Sequence, residues 1–358
     1  MADRGERAFG FSGTWRDYAP IALTNLLLTI VTLGVYRFWA TTRTRRYLWS
    51  RTRFIDEPLE WTGTGMELFI GFLLVLGLFG LPFLFLQFGF QALILQGYMA
   101  LAFTLAALAA AMIFYLAGVA VFRMVRYRLS RTWWHGIRGG SDDKGWAYGW
   151  SNVWRYLIAG FSLYLLMPWA MISLWNDRWS AMSFGPFRFS ARAPVGPVYR
   201  RFLLFYLLPF GLIILAATIG LPQVAQDPSQ APDAAAVRTT LLFLAALFIG
   251  FYVLLPLIAL LYYAKYMRVV IGGLSLSTLD FRFTARSKDW FLLILGDIAL
   301  VVFTFGIGAI FLAYRHWKFF SDHLDATGEI SRASLTQSTT AAPGQGEGLA
   351  DAFDLGAI

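Results

Sequence analysis

The chain has no cysteine and only three histidines in 358 residues. The first absence excludes disulfides and thiolate metal ligands and leaves the redox compartment open. Charge is scarce as well: 14% of residues are charged, against about a quarter in soluble domains. No GxxxxGK[ST] loop, no HExxH pair and no serine in a nucleophile-elbow setting occurs, so the signatures of nucleotide, zinc-protease and hydrolase chemistry are missing. His316 and His323 stand seven apart with Asp322 and Asp325 nearby, but no ligand pair has the usual metal-site spacing. Gly63-Thr64-Gly65 is too short for a phosphate loop and suits a tight turn, with Glu67 at a helix start where the dipole favours it. The expectation is a protein that is not an enzyme, with no catalytic residues, cofactor or metal.

What the chain has in abundance is apolar surface. Hydrophobic residues make up 58% and mean hydropathy is +0.58. Seven apolar segments stand out, at 18–39, 68–86, 98–122, 153–175, 202–221, 241–264 and 290–314. Several reach the roughly 18 residues of a bilayer-crossing helix. The net charge of +9 sits in blocks beside these segments, as the positive-inside rule expects, and gives no reason to invoke nucleic acid.

The basic linkers follow the first, third, fourth and sixth segments, while the 87–97 and 222–238 connectors are weakly charged. If all seven segments crossed, two basic linkers would fall outside. If the first, fourth and seventh turn back, every basic linker is cytoplasmic. The expected fold is therefore an all-α polytopic membrane protein. It has two transmembrane helical hairpins and three repeated cassettes, re-entrant or spanning, with short cytoplasmic β-like segments.

The cassettes announce themselves as a repeat. Phe9–Trp49 aligns without a gap onto the stretch beginning at Phe281, at an offset of 272 residues. Asn25 falls on Asp297, Gly34 on Gly306 and Arg43 on Arg315. A looser copy lies around 153–179, with Pro168 near the glycine position. Gly34, Pro168 and Gly306 are the expected helix breaks. A smaller motif precedes apolar segments four times, as FGFSG, LEWTG, FRFSA and FRFTA. Its period-two alternation suggests short strands, which could pair into a small sheet beneath the membrane or stand as interfacial turns. The organisation expected is 1–66, first cassette; 67–122, hairpin; 123–199, second cassette; 200–264, hairpin; 265–330, third cassette; and 331–358, a disordered tail.

The strings NLLLTIVTLGVYRFWATTRTRRYLW (25–49), EWTGTGMELFIGF (60–72) and YRLSRTWWHGIRGG (127–140) resemble the YjgN family of bacterial inner-membrane proteins, a domain of unknown function. The resemblance spans about residues 9–325 and is looser in the middle. It implies an inner-membrane location and supplies no activity or site residues.

From the residues themselves, Asn25 and Asp297 are candidates for an intramembrane polar site, with a packing hydrogen bond as the plainer alternative. Arg43, Arg45, Arg46, Arg51 and Arg53 are candidates for binding anionic lipid head groups or a protein partner, and also serve as topology determinants. A membrane scaffold or lipid- and partner-binding protein, with possible homo-oligomer contacts, is the first functional expectation. A transporter or channel built on interrupted repeat helices is the alternative.

Overall fold

The computed structural model describes residues 7–218, 234–330 and 335–341. Strand β1 (Phe9–Phe11) leads to helix α1 (Trp15–Val31), which reverses into α2 (Arg37–Ser50) and returns as β2 (Thr52–Phe54). After β3 (Glu57–Pro58) and β4 (Glu60–Trp61), α3 (Gly65–Leu84) runs through a π-helical turn, Phe85–Gly89, into α4 (Phe90–Leu95). Helix α5 (Met99–Arg131) comes back to β5 (Thr132–Trp134) and β6 (Ile137–Gly140). A second helix pair, α6 (Trp146–Phe161) and α7 (Met167–Ser180), joins β6 to β7 (Ser183–Phe184) and β8 (Phe187–Ala191). Then come α8 (Gly196–Phe202), α9 (Leu204–Thr218), α10 (Ala234–Ile249), a π-helical turn, Gly250–Leu254, and α11 (Leu255–Gly272). Strands β9 (Leu274–Leu276) and β10 (Leu279–Phe283) precede α12 (Ser287–Phe303), a 3-10 turn, Ile307–Phe311, α13 (Leu312–His323) and β11 (Leu324–Thr327).

Contacts divide the chain into two compact units. One comprises Met1–Ala193, Val270–Thr284 and Leu293–Ile358; the other comprises Pro194–Val269 and Ala285–Leu292. Among the described residues, four helical stretches are long and apolar enough to cross a membrane: Gly65–Leu95, Met99–Arg131, Gly196–Leu215 and Val237–Gly272. Most of their apolar surface is uncovered by protein, which only lipid tolerates. In the second unit the π-helical turn Gly250–Leu254 sits one turn before Pro256. Proline has no N–H and crowds the carbonyl four residues back, here Tyr252, so the ladder widens there.

The strands among the described residues all lie in the first unit and pair antiparallel in sequence order. β4 through β11 form one sheet and β1-β2-β3 another. The two run together, because Leu59, between β3 and β4, donates its N–H to Thr52 O at 2.9 Å. Tight two-residue turns join β2 to β3, β5 to β6, β7 to β8 and β9 to β10. Positive φ at Ile55 (57°), Ser277 (55°) and Gly185 (55°), and at both His135 (52°) and Gly136 (69°), matches the primed turns that fit strand twist. The longer connections within this unit run through helices and leave from the opposite strand ends. β1 meets β11 through side chains: Ala8 N donates to Asp325 Oδ1 at 3.1 Å, and the Phe9 and Phe281 rings lie 6.4 Å apart. The strands thus form a nearly closed barrel. Its interior is lined by Phe9, Phe54, Trp134, Phe184, Phe189 and Phe281 around a cavity of about 220 Å³. The four alternating motifs lie on or beside β1, β4, β8 and β10.

The three helix pairs α1–α2, α6–α7 and α12–α13 reverse by the same set of hydrogen bonds. Gly34 N donates to Thr29 O, Tyr164 N to Ala159 O and Gly306 N to Val301 O, at 2.7–2.8 Å. Leu33, Leu163 and Phe305 donate to Ile30, Gly160 and Val302 in the same order. This is the double C-cap of a Schellman motif, closed by residues of positive φ. A hydroxyl just before each turn, Thr32, Ser162 or Thr304, accepts the N–H four residues on, from Tyr36, Leu166 or Gly308.

Gly34 and Gly306 therefore sit at the breaks, with φ of 92° and 91°. Pro168 does not. The middle reversal is at Leu163 and Tyr164, with φ of 53° and 64°, and Pro168 is buried in the first turn of α7, where its missing N–H is harmless. A left-handed conformation costs a side-chain-bearing residue about 1–2 kcal/mol. A Cβ on Gly34 meets nothing within 4 Å, so Gly34→Ala should lower stability by about that amount through the backbone alone. Tyr164→Gly should raise it by about 1 kcal/mol, since the ring is 62% exposed. Thermal inactivation midpoints of the purified variants in detergent check both signs.

Within the stretch expected to be a disordered tail, residues 335–341 lie against the β5–β6 turn. Arg138 N donates to Gln337 Oε1 at 3.2 Å, Gln337 Nε2 to Gly136 O at 2.9 Å, and the Arg138 guanidinium to Thr340 O. Burial, with Arg131 and Arg126 adding repulsion, lowers the pKa of Arg138, which still keeps its charge at any ordinary pH. The rest of that tail is outside the described residues.

Candidate functional site

The first and third helix pairs pack together on aromatic rings. Tyr18 stacks on Tyr314 at 5.5 Å and 17°. The Tyr18 hydroxyl donates to Ile310 O at 3.3 Å, and Tyr314 donates to Gly13 O at 3.1 Å. Trp49 and Trp317 stack at 4.0 Å. Their indole N–H groups donate to Thr132 Oγ1 and Thr52 Oγ1, at 2.9 and 2.8 Å, and so bind the helices to the barrel rim. Between these pairs, and closed by the end of α5, lies a cleft of about 510 Å³.

Arginines, a histidine, an amide and hydroxyls line this cleft. Arg37 and Arg45 come from α2, Arg128 from α5, His316 from α13, and Asn25 with Thr29 from α1. Arg45 is buried, and its guanidinium lies 5.1 Å over the Trp61 ring. The Arg37 guanidinium sits over Phe38 and Phe72, at 4.9 and 5.4 Å. Such seats hold a guanidinium in a fixed place at an apolar boundary.

The two intramembrane candidates have different surroundings. The Asp297 carboxylate accepts from Arg315 Nε and from His316 Nε2, both at 2.7 Å, with its side chain 13% exposed. Asn25, at the matching position of the first pair, donates through Nδ2 to Ala40 O (3.2 Å) and Thr44 Oγ1 (3.3 Å). The middle pair places Arg155 between them in register, and its Nη1 meets Asp177 Oδ2 at 2.6 Å. In each case a polar group on the outgoing helix ties down the returning one.

The arginine block separates. Of Arg43, Arg45, Arg46, Arg51 and Arg53, only Arg45 reaches the cleft. Arg43 and Arg46 line a second groove of about 400 Å³ with Tyr36, Trp39 and Met66. Arg51 ends α2 with its guanidinium 5.9 Å from the Tyr47 ring. Arg53 lies on β2 opposite Gly10 and Pro58. Arg37, Arg128 and His316 join the cleft from outside that block. Helical period alone carries no signal for them, because they come from three separate elements. His323 stands apart from His316 and donates through Nδ1 to Phe319 O at 2.8 Å. Among the described residues no group of three metal-capable side chains occurs.

A carboxylate that ties hairpins together also appears at the foot of the first long hairpin. Glu67 closes a capping box with Thr64 at the start of α3. It also accepts from the Tyr127 hydroxyl at 2.9 Å and from Arg131 Nη2 at 2.7 Å.

Among proteins of known sequence, an "Inner membrane protein YjgN" of Salmonella typhimurium is 31% identical over 149 residues, 41% of this chain and 35% of the relative. The protein of the same name from Escherichia coli is 35% identical over 68 residues, 19% of this chain and 17% of the relative. The matched stretches thus span about a third or less of these relatives. No solved structure matches the chain. The model described as "Bacterial protein of unknown function (DUF898)" matches residues 6–352, and the chain belongs to that family.

Proposed function

We propose that the protein is an integral inner-membrane protein that binds anionic phospholipid in the cleft between its first and third helix pairs. The observation that carries this reading is the convergence of Arg37, Arg45 and Arg128 on a cleft of about 510 Å³ beside helices fit to cross a bilayer. The relatives' name, inner membrane protein, supports the location.

The three helix pairs act as copies of one re-entrant cassette, an assignment supported by their shared turn bonds. Their tips carry Leu33, Leu163 and Phe305, which are 95%, 76% and 96% exposed. Large side chains so fully uncovered belong in hydrocarbon. The 17 residues of α1 rise about 25 Å, so a tip enters the bilayer while the strand end stays at its surface. The cleft then lies at head-group depth. The basic linkers face the cytoplasm, where anionic lipid and the positive-inside rule both favour them.

Native mass spectrometry of the protein released from mixed bilayers tests the reading. Phosphatidylglycerol should be retained over phosphatidylcholine of the same tails. Each of Arg37→Ala and Arg128→Ala should weaken that preference about fivefold, the effect of about 1 kcal/mol per basic residue near the surface. Equal retention of the two lipids by the wild type refutes it. A second reading, transport of a small solute or ion, draws on the broken helix pairs and the Asp297–Arg315–His316 contact. It requires a liposome flux that Asp297→Asn abolishes.

A further inference from the structure

The barrel encloses a cavity of about 220 Å³, where close-packed cores keep few voids larger than a water molecule. Its exposed walls are apolar throughout. The Thr132 hydroxyl at its edge is already bonded to Arg128 O and Trp49 Nε1, and Trp134 Nε1 donates to Phe54 O. Water is poorly held in such a place, because it needs two to four polar partners. A dry cavity of about 150 Å³ lined by leucine, isoleucine and phenylalanine is enough to take up benzene. An apolar occupant therefore suits this larger one.

Shape narrows the occupant. On β5 and β9 the lining residues stand two apart, Thr132 with Trp134 and Leu274 with Leu276, which spans about 7 Å on one face of a strand. Leu129 and Ile271, each three residues earlier, also line it and add about one helical turn, roughly 5 Å. A volume of about 220 Å³ drawn out over that length leaves a bore the width of a single hydrocarbon chain.

The approaches to the bore differ. At the end of the tight turns, Ile330 and Leu335 pack on the cluster of Phe54, Trp134 and Leu279. At the side, β1 and β11 meet without a backbone ladder among the described residues, and the cavity reaches both strands, through Phe9 and Leu324. The seam can part there without breaking a sheet. A second chain and a glycerol have no room in a bore of this width.

We infer that the barrel binds the hydrocarbon chain of a single-tailed lipid of the fatty-acid type, threaded at the β1–β11 seam. Its carboxylate stays outside, because an unpaired charge is not tolerated among apolar walls. This site is separate from the cleft, and the inference does not depend on phospholipid being held there.

The test places the full chain in nanodiscs with a trace of hexadecanoic acid that carries a diazirine at its methyl end, followed by irradiation, digestion and mass spectrometry. Adducts should fall on the strands around Phe54, Trp134 and Leu276, as well as on the helical stretches fit to cross a bilayer. The same acid with its diazirine beside the carboxylate should leave those strands unmarked. Leu276→Trp and Leu324→Trp each take up room in the bore. A buried methylene is worth about fourfold in affinity, so the barrel adducts should fall about tenfold in each variant, while adducts on 65–95 and 99–131 stay constant. Excess untagged hexadecanoic acid should remove the barrel adducts of the wild type and spare those on the helices, an arm that needs no altered chain. Absence of barrel adducts in the wild type, failure of the untagged acid to compete, or an unchanged barrel yield in either variant overturns the inference. Equal barrel adducts from a phosphatidylcholine tagged at the end of one chain overturn the single-tailed assignment.

Discussion

Asp297→Leu should destabilise the protein by about 2–4 kcal/mol. Removing one partner of a buried ion pair leaves the other charge uncompensated, which costs about 3–5 kcal/mol when both are fully buried. The discount follows from exposure: the Arg315 and His316 side chains are 34% and 38% exposed, so water recovers part of the loss. Asp297→Asn keeps an acceptor for Arg315 Nε and should lose less. The two variants can be ranked by their rates of thermal inactivation in one detergent. A leucine variant as robust as wild type would mean that the contact does not hold α12 to α13.

Glu67→Ala should have an effect of similar size, about 2–4 kcal/mol, by a different route. One carboxylate closes the cap of α3, accepts from Tyr127 and pairs with Arg131. Loss of a cap costs about 1 kcal/mol, and a hydrogen bond to a charged group adds about 1.5–3 kcal/mol. Glu67→Gln keeps the geometry without the charge and should fall between. Crosslinking yield between cysteines introduced on the facing ends of α3 and α5 reports whether the pair has come apart; the native chain has no cysteine to interfere. Unchanged crosslinking and melting in Glu67→Ala would show that packing alone holds this end.

Much of the layout is legible in the sequence because bilayer chemistry is blunt. Four apolar runs match the four helical stretches that, among the described residues, are long and apolar enough to cross. The glycines at 34 and 306 mark two of the three reversals, since a glycine adopts positive φ freely. The middle reversal is hidden because Leu163 and Tyr164 take the same conformation without a glycine. Ser162 was the available signal, standing where Thr32 and Thr304 stand. The barrel is harder to read: alternation gives away single strands, while their partners are set by tight turns and by helices that return each strand beside the last. The cleft is harder still. His316 looks like the mate of His323 along one helix, yet its partner is Asp297 on another. Arg128 meets Arg45 only after α5 has travelled its full length.

The meeting of β1 and β11 has a consequence for biosynthesis. Ala8 waits on the ribosome for Asp325, 317 residues later, and every other neighbour pairing except that of β10 with β11 can form before that one. The outer edge of β1 therefore stays uncovered through nearly all of translation, although the Phe9 ring already has Phe54 to pack on. A chain stopped just short of Leu324 would carry that open edge permanently, and open edges recruit other chains. Ribosome-released fragments ending before and after β11 should differ sharply in how readily they aggregate, although they share the four helical stretches long and apolar enough to cross a membrane.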